Sequence, residues 1–273
     1  MSRKNWKSND LLIKAFNELH LSIDHAYYGE IHSFEGANSL PVNRLYFNLD
    51  ETGEIFWSES KKVLEKGSIA FIPYNIPLSY KFSGGRMVAF HFNLEIFPKA
   101  DLFADQTECF IFSEPEVCKK IYDTMFRFSS LKELLAIQLE IISISSRYLN
   151  KDLNFFEKQV QLRTKHEKLL GLIDRHLDAE LNVEKLANLM GTNRNQLSKS
   201  FNRDVGFPLK KYLSQQLVRK SSKLLLESNA VKTVAENLRF SDEFYFSRFF
   251  KKHTKMSPSA FKRLSGVSNI SMS

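Results

Sequence analysis

The segments EKLANLMGTNRNQLSKSF at residues 184–201 and KTVAENLRFSDEFYFSRFF at residues 232–250 follow one pattern. Each has an apolar residue followed by Ala, another apolar residue three positions on, a turn signal, and then two apolar residues four positions apart. Matching positions lie 48 residues apart in the first part of the pattern and 49 apart in the second. Apolar residues at this spacing share one face of a helix, so the pattern predicts a helix, a tight turn and a second helix, twice over.

The residue types at the turns agree with this prediction. Ala187 and Ala235 are small enough for two helices to cross closely, and Gly191 can adopt the positive φ that a tight turn requires. Residues 208–226, between the repeats, predict one long helix, a rigid spacer that would set two recognition helices about 34 Å apart, the distance between successive major grooves. The predicted helix N-caps are Asn182, Asn193 and Ser241.

Positive charge is concentrated in the same part of the chain. The net charge of the 273 residues is +8. Residues 166–273 contain 19 Lys and Arg against 10 Asp and Glu, whereas residues 1–165 carry a net charge of −1. Such a distribution is expected if the second part of the chain alone meets a polyanion, because each neutralised phosphate releases counterions and adds affinity. The distribution favours nucleic acid as the partner; a well-solvated basic surface is the alternative that charge alone leaves open.

The second helix of each repeat leaves polar side chains on the face that its apolar residues do not use. Arg and Lys can reach guanine, Asn and Gln can pair with adenine, and a cluster of cations can neutralise the DNA backbone. Two such faces in register favour DNA binding over a helical bundle with solvated basic faces.

The C-terminal sequence resembles a known family. LRFSDEFYFSRFFKKHTKMSPSAFKR at residues 238–263, preceded by VEKLANLMGTNRNQLSKSFNRDVGFPLKKYL at residues 183–213, is similar to the signature of the AraC/XylS-type bacterial transcription regulators. GSIAFIPYNIPLSYKF at residues 67–82 resembles, more loosely, a strand pair of that family's cupin-like sensing barrel. The resemblance implies a DNA-binding regulator with a sensing barrel, dimerisation helices and two helix-turn-helix motifs.

The resemblance also implies roles for individual residues. The chain departs from the family at Arg239 and Lys255, where Gly is usual. Phe244 places an apolar ring near the start of the second recognition helix, where it either touches a thymine methyl group or belongs to the core. The base readers that the resemblance implies are Asn195, Ser198, Lys199, Glu243, Tyr245 and Arg248, and the expected phosphate contacts are Arg194, Arg203, Lys251 and Lys252.

The first half of the chain has a different pattern. From about residue 21 to 97, short alternating runs rich in aromatic and β-branched residues are separated by turn signals such as those at residues 51–53 and 83–85. Roughly six to eight strands at this spacing predict an antiparallel barrel or sandwich. The expected fold class is therefore α+β, with an N-terminal cupin-like antiparallel β-barrel, central dimerisation helices and an all-α C-terminal domain.

Two central helices are predicted from helical apolar spacing over residues 115–128 and 131–149. The second is too apolar for an isolated surface helix, so it packs on the barrel or pairs with a second copy of the chain. A short helix at residues 9–20 is also expected. The predicted organisation is a sensing and dimerisation domain at 1–150 (barrel about 21–97, helices about 115–150), a linker at 151–166 and a tandem helix-turn-helix domain at 167–273.

A barrel of this kind can hold a metal or a small molecule. Metal-binding cupins use an H-x-H pair, a Glu and a further His. The nearest match has Asn93 in place of the second His, between His91 and Glu95, so we expect no metal and no cofactor. Aromatic rings with bidentate polar groups suit sugars, so a sugar or sugar derivative is one expected effector. The candidate ligand-binding residues are Tyr28, His32, Arg44, Tyr46, Trp57, His91 and Asn93; Arg44, an isolated charge in an apolar-flanked run, is the strongest of them.

Other motifs are missing from the sequence. It has no nucleophile elbow, phosphate-binding Gly-rich loop or paired carboxylates, so no catalytic residues are predicted. Cys109 and Cys118 lie in no Cys/His cluster and are expected to be ordinary half-buried thiols. No apolar stretch is long enough to cross a bilayer and no secretory signal is apparent, which predicts a cytoplasmic protein.

Taken together, these features predict a dimeric, ligand-responsive bacterial transcription regulator. Its expected partners are double-stranded promoter DNA, a small-molecule effector, a second copy of the chain, and RNA polymerase if it is an activator; no membrane contact is expected. The alternatives are a cupin-type enzyme and a ligand-independent DNA-binding protein with a filled barrel. Bound metal or turnover of a sugar would favour the first alternative, and a barrel without a pocket would favour the second.

Overall fold

The computed structural model describes residues 17, 19–97, 100–150, 153–227 and 230–266. Within these residues, antiparallel sheets form the N-terminal part and short helices form the C-terminal part. Most of the helix expected at residues 9–20 lies outside the described residues. Its last residue, His20, instead begins the first strand.

Two antiparallel sheets build the N-terminal part. The strands are β1 (His20–Ile31), β2 (Phe34–Asn38), β3 (Asn43–Asn48), β4 (Gly53–Trp57), β5 (Ser60–Leu64), β6 (Ser68–Ile72), β7 (Leu78–Phe82), β8 (Gly85–Phe97), β9 (Ala100–Asp101) and β10 (Phe110–Ser113). The first sheet has the order β1-β8-β3-β6-β10, with β9 beside β8, and the second has the order β2-β7-β4-β5. The sheets thus extend beyond the predicted end at residue 97, because β9 and β10 join the first sheet.

Burial along the strands follows the sequence pattern. In β7 (LSYKF) the first, third and fifth residues are buried and the two between them are exposed, as in a strand with one face in solvent. In β6 (SIAFI) every residue is buried, because the first sheet is covered on both faces. Ile72 belongs to the core between the sheets, and Phe71 belongs to the core between the first sheet and the helices.

The turn predicted at residues 51–53 is confirmed, and it needs its glycine. Gly53 begins β4 with a φ of 140°. A Cβ atom at this position would lie 2.3 Å from the carbonyl oxygen of Lys81 on β7. Any other residue would therefore push the two strands of the second sheet apart.

Two helices, α1 (Pro115–Phe126) and α2 (Leu131–Ser146), follow the strands as predicted. The Ser130 side chain accepts a hydrogen bond from the backbone N–H of Glu133, and the Glu133 carboxylate accepts one from the backbone N–H of Ser130. This capping box fixes the start of α2. Ile137, Ile141 and Ile144 pack against the first sheet.

The predicted linker at residues 151–166 belongs largely to a helix. The helix α3 spans Leu153–His176, and its 24 residues make it about 36 Å long. Phe155, near its start, packs against the core of the first sheet, whereas Leu169 and Ile173 are buried in the C-terminal core. These sparse apolar positions among the charges let one continuous helix connect the two cores.

Six helices of 7 to 18 residues complete the described chain around one core. They are α4 (Val183–Met190), α5 (Arg194–Val205), α6 (Leu209–Leu226), α7 (Val231–Asn237), α8 (Glu243–Thr254) and α9 (Pro258–Gly266). We call α4 with α5 the first helix pair, and α7 with α8 the second helix pair. The long helix predicted between the repeats is confirmed as α6.

Most equivalent positions of the two helix pairs are buried alike, with the exception that Met190 is half-buried and Leu238 is fully buried. Ala187 and Ala235 are both buried, and Phe201 and Phe250 are 1% and 0% exposed. The repeat read from the sequence is therefore a repeat of packing, in which each second helix inserts an aromatic ring into the shared core.

The N-terminal and C-terminal parts touch directly. The backbone N–H of Ser39, after β2, donates a hydrogen bond to the carbonyl oxygen of Thr254, at the end of α8, over 3.0 Å. Arg219 on α6 forms an ion pair with Glu95 on β8. Leu40 packs in the C-terminal core. The second helix pair and α6 are therefore docked on the sheets.

Two further observations concern the chain as a whole. Among the described helices, none combines the length and apolar character needed to cross a membrane. Cys109 and Cys118 are free and buried, and burial raises the pKa of the Cys109 thiol to about 12 and that of the Cys118 thiol to about 11. Both thiols are protonated at neutral pH and therefore weak nucleophiles.

Candidate nucleic-acid interface and ligand cavity

The first helix pair has the caps that the sequence predicts. The Asn182 side chain accepts a hydrogen bond from the backbone N–H of Lys185 at 3.0 Å. The Asn193 side chain accepts one from the backbone N–H of Gln196 at 2.8 Å. Gly191 has a φ of 67°, as expected for the turn. The start of α5 is thus fixed by its own side chains.

The N-cap of α8 differs from the prediction. Asp242, and not Ser241, occupies the cap position, and its carboxylate accepts a hydrogen bond from the backbone N–H of Tyr245 at 2.6 Å. Ser241 donates to the Asp242 carboxylate at 3.1 Å. The hydrogen bond from Tyr245 lowers the pKa of Asp242, so its negative charge faces the positive end of the helix dipole.

The two helix pairs share backbone conformation where the family usually has glycine. In the first pair, Gly191 and Gly206 have φ values of 67° and 87°. In the second, Arg239 and Lys255 have φ values of 55° and 66°. The last loop keeps its left-handed geometry although its glycine is replaced.

The predicted base readers lie on the exposed sides of α5 and α8. Asn195 and Lys199 are exposed and Ser198 is half-buried. Arg248 is exposed, and its guanidinium lies 5.9 Å from the centre of the Tyr245 ring. The exposed readers on α8 are Glu243, Tyr245 and Arg248.

Phe244 does not belong to the core. It is 78% exposed at the start of α8. The sequence left two alternatives for this ring, a place in the core or contact with a thymine methyl group. Its exposure excludes the core, and contact with a thymine methyl group stays a prediction.

The predicted phosphate contacts are also exposed, although one has a partner within the protein. Arg194, Lys251 and Lys252 lie at the surface. The Nε of Arg203 lies 3.3 Å from the Asp204 carboxylate, which also binds Lys165 at 2.7 Å and His166 at 3.0 Å. Asp204 therefore ties α5 to α3, and part of the Arg203 charge serves this contact.

A groove of about 750 Å³ runs between the two helix pairs. Arg194 lines it from the first pair, Arg248 and Lys252 line it from the second, and Lys210 lines it from α6. Asp178 and Glu184 also line the groove, but four cations from three elements outnumber these two carboxylates, and a net positive concave surface suits a polyanion.

A smaller cavity of about 90 Å³ lies in the N-terminal part. Most of its lining is aromatic or aliphatic, and two of its lining residues belong to the C-terminal domain. The lining comprises His25, Tyr27, Ile31, Phe34, Asn38, Leu40, Tyr46, Tyr80, Phe82, Met87, Ala89, His91, Met256 and Phe261.

The predicted ligand-binding residues separate into two groups. Tyr46 and His91 line the cavity. Arg44 and Trp57 are buried close to it, and Arg44 contacts the lining residue Asn38 through a 2.6 Å hydrogen bond from Nη1 to Oδ1. The sequence thus identified part of the cavity surface and the charge behind it.

Three predicted residues lie elsewhere. Tyr28 is 39% exposed and alternates along β1 with the lining residue Tyr27, so it points to the other face of the strand. His32 is exposed beyond the end of β1. The Asn93 amide donates to the Asp24 carboxylate at 2.7 Å and is not part of the lining. None of these three side chains helps to form the cavity.

His25 and His91 both line this cavity, and both are uncharged at neutral pH. The His25 and His91 rings lie 5.5 Å apart. Burial lowers the pKa of both, and His25 and Arg44 lower that of His91 further. Among the described residues, no group of three or more His, Cys, Asp and Glu side chains is arranged to hold a metal ion.

Comparison with known proteins identifies the domain that carries the helix pairs. A family model for a helix-turn-helix domain matches residues 186–264. The HTH-type transcriptional activator Btr of Bacillus subtilis is 26% identical over 129 residues, 47% of this chain. The Msm operon regulatory protein of Streptococcus mutans is 21% identical over 273 residues, 90% of this chain and 94% of that protein. The C-terminal domain is of the AraC/XylS type.

Some relatives are much longer than this chain. The match to Btr spans 23% of the length of that protein. Among solved structures, an apo form of ToxT from Vibrio cholerae has a TM-score of 0.57 at 12% identity, over 91% of this chain and 98% of that one. ToxT with a bound unsaturated fatty acid has a TM-score of 0.52 at 12% identity, over 89% and 94%. This likeness shows the fold alone: N-terminal antiparallel sheets followed by a helical C-terminal domain.

Several lining residues were missed by the sequence analysis. Tyr27 could have been found, because it lies on the same face of β1 as Gly29 and the buried Ile31, at a spacing of two residues. Met256 and Phe261 could not, since they come from the AraC/XylS-type domain and reach the cavity only through docking of that domain.

Proposed function

We propose that the chain is a sequence-specific DNA-binding transcription regulator that reads two neighbouring major-groove segments. The observation that carries this proposal is the pair of equivalent capped helices, α5 and α8, which present exposed polar and basic side chains on either side of one cationic groove. The phosphate backbone would supply affinity through the groove cations, and base edges would be read from the two helices.

The N-terminal cavity is the site we assign to a small-molecule effector. The sheets form a cupin-like barrel in this proposal, and the cavity opens between barrel and DNA-binding domain. The bound fatty acid in ToxT supports a ligand in a protein of this fold. An apolar lining with few polar groups gives less support to the predicted sugar, because sugars need several bidentate polar contacts.

Effector binding and DNA binding would be coupled through the docked second helix pair. Met256 and Phe261 line the cavity, and Thr254 is hydrogen-bonded to Ser39 beside it. An occupant that moves these residues changes the position of α8 relative to α5. The effector would therefore shift the population of arrangements that fit DNA, in either direction.

We infer that the regulator is a dimer that pairs through α2. One face of α2 packs on the first sheet, whereas Leu131, Leu135 and Leu139 on another face are 70%, 52% and 67% exposed. Phe128, just before the helix, is 50% exposed. A contiguous apolar strip of this kind is expected at a protein contact, and a second copy offers the same strip. RNA polymerase stays a predicted partner for an activator.

The proposal is tested by selecting binding sites from random DNA duplexes with the full-length protein, at two salt concentrations. We expect a motif with two informative blocks about 10 base pairs apart, repeated once more if the protein binds as a dimer. Lys199→Ala should blur one block and Arg248→Ala the other, each reducing discrimination about 5- to 150-fold.

The matched controls remove the same charges from the N-terminal part. Lys62→Ala and Arg127→Ala replace exposed residues far along the chain from the helix pairs and should leave both blocks intact. Binding without sequence preference, or blurring by the controls to the same degree, would overturn the two-reader proposal.

A further inference from the structure

Arg44 is a buried cation whose hydrogen bonds are incomplete. It lies in β3 with 0% exposure. Its Nη1 donates to the Asn38 Oδ1 at 2.6 Å and its Nη2 donates to the carbonyl oxygen of Ile76 at 3.2 Å. Its Nε has no partner. The Tyr46 side chain also hydrogen-bonds Arg44, and all three of these partners are neutral.

No carboxylate balances this charge in the part of the chain that the structure describes. None of the ion pairs there includes Arg44. A buried charge is normally paired, because removal from water is strongly unfavourable without an opposite charge. Among the described residues, the buried positive charge of the guanidinium is therefore not neutralised by an ion pair.

Arg44 lies directly behind the lining of the cavity. Asn38 both lines the cavity and accepts the hydrogen bond from Arg44, so it stands between the two. Tyr46 lines the cavity from the same strand, and His91 lies opposite Arg44 in the register of β3 and β8. The cavity wall is thus built on the immediate neighbours of Arg44.

The lining itself contains no Asp, Glu, Lys or Arg. Its two histidines are uncharged at neutral pH, because burial lowers their pKa. Apart from its Asn, Tyr and His groups, the lining is apolar. A positive charge directly behind the lining residue Asn38 therefore acts on the cavity in apolar surroundings, where charges interact strongly.

We propose that Arg44 is the anion receptor of the effector site and that the effector is an amphipathic monoanion, a carboxylate on an apolar body. This inference rests on the proposed function, which places an effector in the cavity. The carboxylate takes the place of the Asn38 side-chain oxygen and accepts a charge-assisted hydrogen bond from Nη1 of the guanidinium. The apolar body lies among the rings of Phe34, Tyr80 and Phe82.

The size of the cavity adds a consequence for binding. A volume of about 90 Å³ is below the roughly 300 Å³ at the lower end of ligand pockets, so an effector has to enlarge it. Met256 is the most adaptable lining side chain, because its thioether chain has three rotatable bonds. Entry of the apolar body is expected to displace Met256, and with it the loop after α8.

The test uses the full-length protein and three eight-carbon probes that differ only in the head group: octanoate, octan-1-ol and octylammonium. Binding is measured by calorimetric titration and by the shift in melting temperature. We expect octanoate to bind at least about 10-fold more tightly than octan-1-ol, the gain typical of a charge-assisted hydrogen bond, and octylammonium to bind most weakly.

Variants of Arg44 separate an anion receptor from a structural residue. Arg44→Met and Arg44→Gln should lose the preference for octanoate and bind octan-1-ol at least as well, whereas Arg44→Lys keeps part of the preference because it keeps the charge. Lys81→Met is the matched control, since it removes an exposed cation on β7 and should leave all three affinities unchanged. Circular dichroism confirms that each variant is folded.

Three results would overturn the inference: equal binding of octanoate and octan-1-ol by the wild-type protein, no binding of any probe, or unchanged octanoate preference in a folded Arg44→Met or Arg44→Gln variant. The comparison of octanoate with octan-1-ol binding to the wild-type protein tests the inference even if both variants fail to fold. Failure here with a successful DNA selection removes the anionic effector alone, whereas octanoate binding without sequence-specific DNA binding removes the regulator proposal alone.

Discussion

The first and second helix pairs have the same core and different anchors. In the first pair, glycine occupies both left-handed positions, and Asp204 ties α5 to α3. In the second pair, Arg239 and Lys255 occupy those positions, and Thr254 contacts Ser39 of the sheet domain. The first pair is held by its own domain, whereas the second is held by the domain that we assign to the effector. Under the proposed function, the second pair is therefore the one that an effector would move.

The left-handed backbone adds strain to the second pair. For residues other than glycine, this conformation costs roughly 1 kcal/mol or more per residue. Lys255 lies directly between the α8 terminus at Thr254 and the cavity residue Met256. The strain is therefore located where α8 meets the cavity, at a point where a change in loop conformation would relieve it.

The largest expected effect concerns what the two pairs share. Phe201→Ala and Phe250→Ala each remove a buried ring from the common core, so each should lower the free energy of unfolding by about 3 to 5 kcal/mol in urea denaturation. Phe244→Ala, at an exposed ring, is the control and should change it by less than about 0.5 kcal/mol. A large loss at only one of the two buried rings would contradict the equivalence of the pairs.

The next effect concerns the anchor of the first pair. Hydrogen bonds from Lys165, above all, and from Arg203 and His166 lower the pKa of Asp204 to about 2. The ionised carboxylate therefore stabilises the fold fully above the unfolded-state pKa near 4, and this contribution is lost as the pH falls toward 2. Asp204→Asn should lower stability by about 1 to 2 kcal/mol at pH 7 and flatten the stability curve between about pH 4 and 2.

The corresponding control in the second pair is Asp242→Asn. Because Asn is as good an N-cap as Asp, this substitution should cost less than about 0.5 kcal/mol in the same urea titrations. If Asp204→Asn and Asp242→Asn lowered the free energy of unfolding equally at pH 7, the Asp204 anchor would not distinguish the two pairs.

The smallest expected effect concerns the left-handed positions. Lys255→Gly and Arg239→Gly should each stabilise the protein by up to about 1 kcal/mol, because glycine adopts their φ without strain. Gly206→Ala and Gly191→Ala, the same positions in the first pair, should destabilise it by about 1 kcal/mol. Thermal denaturation measures all four variants, and opposite signs in the two pairs are the decisive outcome.

Local patterns predicted the repeated helices well. The caps at Asn182 and Asn193, the long helix α6 and the buried Phe201 and Phe250 all depend on neighbours within a few residues or on helical periodicity. The cap at Asp242 was misplaced by one residue, since Ser and Asp are both good N-caps and stand side by side.

Contacts between distant segments could not be predicted in the same way. The linker was expected at residues 151–166 because its charges hide a sparse apolar face, which becomes visible only against two cores. The error at Tyr28 is of another kind, because the apolar Ile31, four residues after Tyr27 on the same face of β1, indicates which face is buried. Arg44 stood out because a lone charge among apolar residues has few structural uses.

The helix α3 gives the molecule a lever. It is about 36 Å long, and its two ends pack in different cores. A tilt of about 10° at the sheet end would carry the far end through about 6 Å, close to the axial rise of two base pairs. Under the proposed function, such a tilt would be enough, in mechanical terms, to move α5 and α8 from one set of bases to the next.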